Sequence, residues 1–484
     1  MKKNFVLIAI LAGMNVHCTQ NHAINLKFMD KSVKPQDDFY NYVNGNWMKT
    51  VEIPSDKARW GSFDELRENT DVATLKILKE SLGKTYEKGS DGQKIADLYQ
   101  SYVDFDTRNK IGLEPIQGQL ADIEKVQDLN GLFDYFVKYG KEGGNPFFGG
   151  YVYAHMKNSS MNAVYLGGGS LGLGRSYYQQ DDEKNRQTLM DYTQYVDTLY
   201  TKGVDGAKGS KGGDVVAFEK SIASYLKTIE EMRDAQKRYN PVAVADLGKI
   251  VKNMDVAKYL DTMGFRADTV IISELAYYQN LDKIINPQNL PVIKDYLKFH
   301  LVNGATGYLI KELDELSFDF YGRKLKGQKE QRALDKRGLE FVNGSVGELL
   351  GKLYVKEHFP EEAKQACEEL VQYLIKSFEI HIKDLAWMSP VTKEKALEKL
   401  SKFTVKIGYP DKWKDYSKLD IGNSLYENVR NVNLWAFEDN LAKQGKPVDK
   451  TEWGMTPQTV NAYYNPLHNE IVFPAAILQS PFYD

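Results

Sequence analysis

The stretch that decides the reading is Thr456-Pro-Gln-Thr-Val-Asn-Ala-Tyr-Tyr-Asn-Pro-Leu-His-Asn-Glu-Ile-Val-Phe-Pro-Ala-Ala-Ile-Leu-Gln-Ser-Pro-Phe-Tyr-Asp484. Val460 to Tyr464 and Glu470 to Phe473 are rich in β-branched and aromatic residues, which fit a pleated, half-buried surface. Asn465-Pro-Leu-His-Asn469 between them is made of turn formers, so the stretch is expected to fold as two strands joined by a turn. On their own, Asn461 and Ala462 read as part of an ordinary half-buried hairpin, and Tyr463 and Tyr464 as packing residues. His468 falls in the turn and is expected to face solvent.

Working outward from this hairpin, the rest of the chain is mostly helical. Apolar residues recur at helical spacing from Asp64 through Leu66, Val72, Leu75, Leu78 and Leu82 before Gly83. Further helices are expected at 93–105, 118–125, 129–139, 215–237, 242–259, 288–315 and across 334–400. Within the last of these, 361–386 carries an apolar stripe through Ala366, Leu370, Tyr373, Leu374, Phe378 and Ile382, with His381 on its solvated flank. Short strands are expected at Phe147-Phe148, Tyr151-Val-Tyr153, Ala163-Val-Tyr-Leu166 and around Thr404-Val-Lys-Ile-Gly408. No internal repeat of fixed period is present.

Two glycine-rich patches invite nucleotide readings and fail them. Gly167-Gly-Gly-Ser-Leu-Gly172 matches the dinucleotide spacing, but a polar run follows Leu173-Gly-Arg-Ser-Tyr-Tyr178, so no helix opens to hold a pyrophosphate. The patch 203–213 has no Lys-Ser at the phosphate-loop offset and reads as a surface loop.

The chain has 484 residues, enough for two or three domains, and 42% of them are hydrophobic, as in a soluble globular protein. Its 63 basic and 66 acidic residues are interspersed, which leaves no basic footprint for nucleic acid. Lys2-Lys3 followed by the apolar run 5–14 has the layout of a bacterial export signal over 1–22, too short to span a bilayer as a mature helix. Cys18 sits where a lipid-acceptor cysteine would, so it is read either as a membrane attachment point or as incidental to a cleaved leader. The location expected is periplasmic or on the cell surface. Cys367 is the other cysteine, so the fold does not rest on intrachain disulfides.

A zinc-peptidase helix needs two His four residues apart with a Glu between them as general base. His17, His22, His155, His300, His358, His381 and His468 include no such pair and none is followed by Glu. No catalytic residue and no metal ligand is therefore assigned.

Four blocks, in order along the chain, resemble the neprilysin and endothelin-converting-enzyme family of zinc metallopeptidases. They are Asp38-Phe-Tyr-Asn-Tyr-Val-Asn-Gly-Asn-Trp47 with Arg59-Trp-Gly-Ser-Phe-Asp-Glu-Leu-Arg67; Phe341-Val-Asn343 with Leu353 to Ala363; Trp387-Met388 with Lys395 to Leu400 and Val405 to Pro410; and the terminal block from Trp453. The resemblance implies a mainly α fold with small β elements, a helical cap lobe plus the first strands of a thermolysin-like catalytic lobe. It implies a largely helical N-terminal region over 37–425 and the start of the catalytic domain over 453–484, with zinc as the family's cofactor and the sequence ending before the zinc helix. The chain is accordingly expected to be truncated, to bind no zinc and to be inactive by itself.

The same resemblance assigns substrate binding to Asn461 and Ala462, on a strand edge along which a peptide lies antiparallel, and to Arg59 and Arg67 beside Asp64. The chemistry fits. A strand edge holds any peptide through its main chain, a carboxamide offers both donors and an acceptor, and a guanidinium fork suits a terminal carboxylate. Without the resemblance, Arg59, Asp64 and Arg67 read as a surface ion cluster at a helix start. The terminal hairpin is expected to expose Ile471, Phe473 and Ile477 and to be prone to aggregation or proteolysis. Two alternatives stand beside the peptidase reading. One is a non-catalytic peptide- or glycan-binding surface lipoprotein, the other an assembly subunit that pairs with a separate catalytic chain.

Overall fold

The computed structural model describes residues 25–204 and 209–483. The export signal, Cys18 and residues 205–208 of the second glycine-rich patch lie outside the described residues. The architecture is mainly helical with two small sheets, as expected. From the N-terminus run α1 (Phe39–Thr50), α2 (Ser62–Leu82), α3 (Asp91–Val103), α4 (Glu114–Glu124) and α5 (Leu129–Tyr139), then the strands β1 (Gly150–His155) and β2 (Asn158–Leu166). They are followed by α6 (Glu183–Gly203), α7 (Gly212–Ala223), β3 (Pro241–Ala243), β4 (Thr269–Ile272) and α8 (Leu290–Ala305). The last part holds α9 (Leu334–His358), α10 (Glu361–Asp384), α11 (Pro390–Ser401), β5 (Thr404–Gly408), α12 (Leu425–Leu441), β6 (Tyr463–Asn465) and β7 (Glu470–Pro474).

Local signals explain where these elements start. Asp38, Ser90, Asp128 and Asp182 each stand just ahead of a helix, and each side chain accepts a backbone N–H of the first turn. In α5 the buried residues Leu132, Tyr135, Phe136 and Tyr139 fall at helical spacing and make one apolar face. In α2 the buried face carries Leu66, Leu75 and Leu78, whereas Val72, read as part of it, is 55% exposed. Phe147 and Phe148 are not a strand. Both rings are fully buried against Phe136, and it is packing, not pairing, that holds them.

The core falls into one large cluster drawn from α4 to α8 and the first sheet, and two smaller ones built on α2, α3, α9 and the terminal residues. In the first sheet the order is β1-β2-β4-β3, with β2 and β4 parallel and the other pairs antiparallel. The outer edge of β1 is closed by a side chain: Asn440 Oδ1 accepts from Val152 N at 2.8 Å and its Nδ2 donates to Val152 O at 2.9 Å. The second sheet has the order β5-β7-β6, with β5 and β7 parallel and β6 and β7 antiparallel.

The glycine loop 167–174 has no helix at its end, only a single turn at Ser176–Gln179. Side chains hold it instead. Tyr278, Tyr296 and Tyr321 donate their hydroxyls to the carbonyls of Gly167, Ser170 and Gly172 at 2.8, 2.8 and 3.1 Å. Phosphate recognition needs free N–H groups, and here Gly172 N already donates to Glu219 at 2.9 Å.

The apolar stripe of α10 is largely uncovered. Only Cys367 and Val371 of that helix are buried, while Leu370, Tyr373, Leu374, Phe378 and Ile380 stand exposed. A helical period fixes which residues share a face, but not what covers that face.

Candidate functional site

The approach to the terminal hairpin is set by two glycines of α9. A Cβ on Gly347 would come within 2.7 Å of Thr456, and one on Gly351 within 2.7 Å of Pro457 and 2.9 Å of Gln458. Without a Cβ at either position, the side chains of 456–458 pack directly on the helix. Gln458, buried there, donates through Nε2 to Asn343 Oδ1 and to Gly347 O, both at 2.8 Å. Val460 then enters the core that holds Leu66, Tyr354, Phe359 and Ile407. With Val460 pinned inward, the next residue turns out: Asn461 is exposed and its Oδ1 accepts from Ala462 N at 2.9 Å.

The expected hairpin is present, with Tyr463 facing Val472 and Asn465 facing Glu470. One boundary differs. Asn461 and Ala462 precede β6 instead of lying in it, because Asn461 N donates back to Thr459 O at 3.0 Å in a tight turn. β6 is the outermost strand of its sheet, and among the described residues no strand pairs with its outer side. Tyr463 is fixed by Gly454 N, which donates to its hydroxyl at 2.8 Å.

Two expectations about the hairpin are corrected. His468 is not solvent-exposed: its side chain is 13% accessible and its Nδ1 lies 3.3 Å from Glu470 Oε1. Ile477 is buried beside Ala475 and Ala476, and Ile471 and Phe473 are only partly accessible. The alternation of β7 turns Glu470, Val472 and Pro474 inward. The carboxylate that this register buries is matched by Lys406 Nζ, 2.7 Å from Glu470 Oε2 and itself buried. Burial opposes ionisation of Glu470, but the His468 and Lys406 contacts outweigh it and hold the carboxyl below its ordinary range.

Arg59, Asp64 and Arg67 come together as the sequence suggested. Arg67 Nη1 lies 3.2 Å from Asp64 Oδ1, and Arg59 Nε is 4.0 Å from Oδ2 with its side chain 84% exposed. Pairs this open contribute about 0–1 kcal/mol, so their geometry leaves the guanidinium groups available. Asp64 and Arg67 stand on the first two turns of α2 and Arg59 in the loop before it. Leu66 of the same helix shares the apolar cluster with Val460, and Phe63 packs on Phe482 with ring centroids 4.3 Å apart. One core therefore carries both the arginines and the hairpin, although no hydrogen bond or ion pair joins Arg59 or Arg67 to Asn461 or Ala462 among the described residues.

Sequence reading missed Gln458, Gly347 and Gly351, which position the hairpin. The usable signal was the four-residue spacing of the two glycines on a predicted helix, which makes a face that a chain can approach closely.

Comparison with known proteins decides the family. The sequence pattern of peptidase family M13 matches residues 35–410. The chain belongs to peptidase family M13. The M13 relatives it resembles include Neprilysin-3 of Drosophila melanogaster, 30% identical over 98% of this chain and 64% of that protein. A neutral endopeptidase of Lactobacillus helveticus is 31% identical over 94% of this chain and 71% of its own length. The zinc metalloprotease Zmp1 of Mycobacterium tuberculosis, solved with an inhibitor, superposes with a TM-score of 0.90 at 34% identity, covering 96% of this chain and 71% of that one. The M13 chain here thus spans about two thirds of the length of such relatives.

The mycobacterial M13 relative is a zinc metalloprotease. The residues described here do not fit that metal: they hold no group of three His, Cys, Asp or Glu side chains able to enclose an ion, and the sequence has no His-Glu-x-x-His.

Proposed function

We propose that this chain is the N-terminal part of an exported zinc metalloendopeptidase acting on short peptides, and that its own contribution is the groove that holds the substrate. Residues 37–425 make the largely helical region and 453–484 begin the catalytic domain. Asn461 and Ala462 bind one peptide unit of the substrate, the first through its carboxamide and the second through its carbonyl. Arg59 and Arg67 take the substrate's terminal carboxylate. Reaction chemistry belongs to a zinc site outside these residues, so the chain alone holds a peptide without cutting it. Export rests on the leader-like layout of 1–22, with Cys18 either the lipid-acceptor position or incidental to a cleaved leader.

The observation that carries the reading is the position of Asn461. It is exposed at the entrance to an edge strand whose outer side is unpaired among the described residues, and buried Val460 next to it fixes its orientation. A peptide backbone satisfies such an edge whatever its side chains.

The test is binding of a fluorescein-labelled pentapeptide to the pure chain. Asn461→Ala is expected to weaken binding by about 0.5–1.5 kcal/mol, the net value of a hydrogen bond. Arg67→Ala is expected to abolish the preference for a free over an amidated peptide C-terminus. No hydrolysis should accompany binding; chelator-sensitive cleavage by the pure chain would refute the assignment of chemistry to residues beyond it.

A further inference from the structure

The β6 edge is short and its far end is held from the first sheet. β6 has three residues and runs into a turn in which Asn469 takes a left-handed backbone conformation, φ 51°. A strand of that length frays readily unless something else fixes it. Besides the Gly454 bond to Tyr463, part of that support is Tyr153 of β1, which belongs to the first sheet. Asn465 Nδ2, at the last residue of β6, donates to Tyr153 Oη at 3.1 Å. The His468 ring stacks on the Tyr153 ring with centroids 6.0 Å apart and planes 24° from parallel.

β1 is firm enough to act as the support. Asn440 closes its edge, and Tyr151, two residues away, stacks on Tyr165 of β2 at 5.4 Å. Beside this contact a cavity of about 300 Å³ is lined by β1, the 442–449 segment and His468. The contact is polar and accessible, since Tyr153 is 43% exposed.

We propose that Tyr153 is a positioning residue for the substrate edge, ordering the end of β6 and the turn after it from the first sheet. Peptide affinity and the Tyr153 contact are then coupled, and the coupling is reciprocal: a peptide laid on β6 favours the Tyr153 contact, and loss of Tyr153 weakens the peptide. This rests on the peptide-groove reading above, but its structural half can be measured without a peptide.

Hydrogen exchange of the 463–470 amides in the full chain tests it, with the labelled pentapeptide as second readout. Tyr153→Ala should raise exchange of these amides at least tenfold and weaken peptide binding severalfold, at an unchanged thermal midpoint. Tyr153→Phe, which keeps the ring but loses the acceptor, should fall between, and Tyr151→Phe should match the wild type. Exchange in Tyr153→Ala equal to that of the wild type overturns the proposal. A wild-type chain that binds no peptide overturns the groove reading instead, and the exchange result still decides the role of Tyr153.

Discussion

Glu219 Oε2 accepts the hydroxyl of Tyr178 at 2.6 Å at a position with no solvent access. The same carboxylate takes Gly172 N at 2.9 Å and lies 2.8 Å from His300 Nε2, so protein donors replace its hydration. Removing such a carboxylate leaves several donors unmatched. Glu219→Leu is expected to cost about 3–5 kcal/mol of stability, and Glu219→Gln less. Gly172→Ala should also destabilise, because its Cβ would overlap Tyr192 Oη. Urea unfolding of the three variants checks this.

The buried phenols make alkaline stability predictable. Burial pushes Tyr165 and Tyr321 up to about 12, and Tyr277, Tyr278 and Tyr296 are raised further still. An exposed phenol titrates near about 10. The fold therefore favours the neutral form: this stabilisation is complete below the unfolded value and is lost as pH rises towards the folded one. Tyrosinate absorbance should rise in two steps, the second coinciding with loss of helical circular dichroism.

At the acid end the decisive pair is Lys406 and Glu470. Because the Glu470 carboxyl is depressed from its ordinary 4.5, its contribution is complete above that value and disappears as pH falls through the lower, folded one. Glu470→Gln should flatten the acid limb of the stability curve. At neutral pH, Glu470→Ala should cost about 3–5 kcal/mol by leaving the Lys406 ammonium buried without a counter-charge. Thermal melts of both variants across the acid range test the sign.

The uncovered face of α10 predicts self-association. Leu370, Tyr373, Leu374 and Phe378 form a contiguous exposed stripe of the kind that marks an interaction surface. Leu374→Lys with Phe378→Lys should reduce light scattering at high concentration while changing stability by no more than about 0.5 kcal/mol. Equal scattering from wild type and variant would show that this face is not what associates.

Sequence determined a good deal about this protein. Helix existence was legible at Asp128 ahead of 129–139, where expected and observed bounds agree, but the helix Glu183–Gly203 behind its Asp182 cap was not expected, and the helix expected over 242–259 is broken by β3 and separate short helices. The terminal hairpin was legible because β-branched and aromatic runs flank turn formers. The M13 blocks were legible as order and spacing along the chain. These are local properties: capping, periodicity and turn chemistry each depend on residues a few positions apart.

What only the tertiary structure decided was which face meets what. The exposure of the α10 stripe, the partial burial of His468, the burial of Ile477, and the meeting of Tyr153 with Asn465 across more than three hundred residues all depend on partners that no local period names. The same holds for Asn461. Composition allowed it to be buried or exposed, and it points outward because Val460 beside it is taken by a core assembled from α2, α9 and β5, elements far away in the chain.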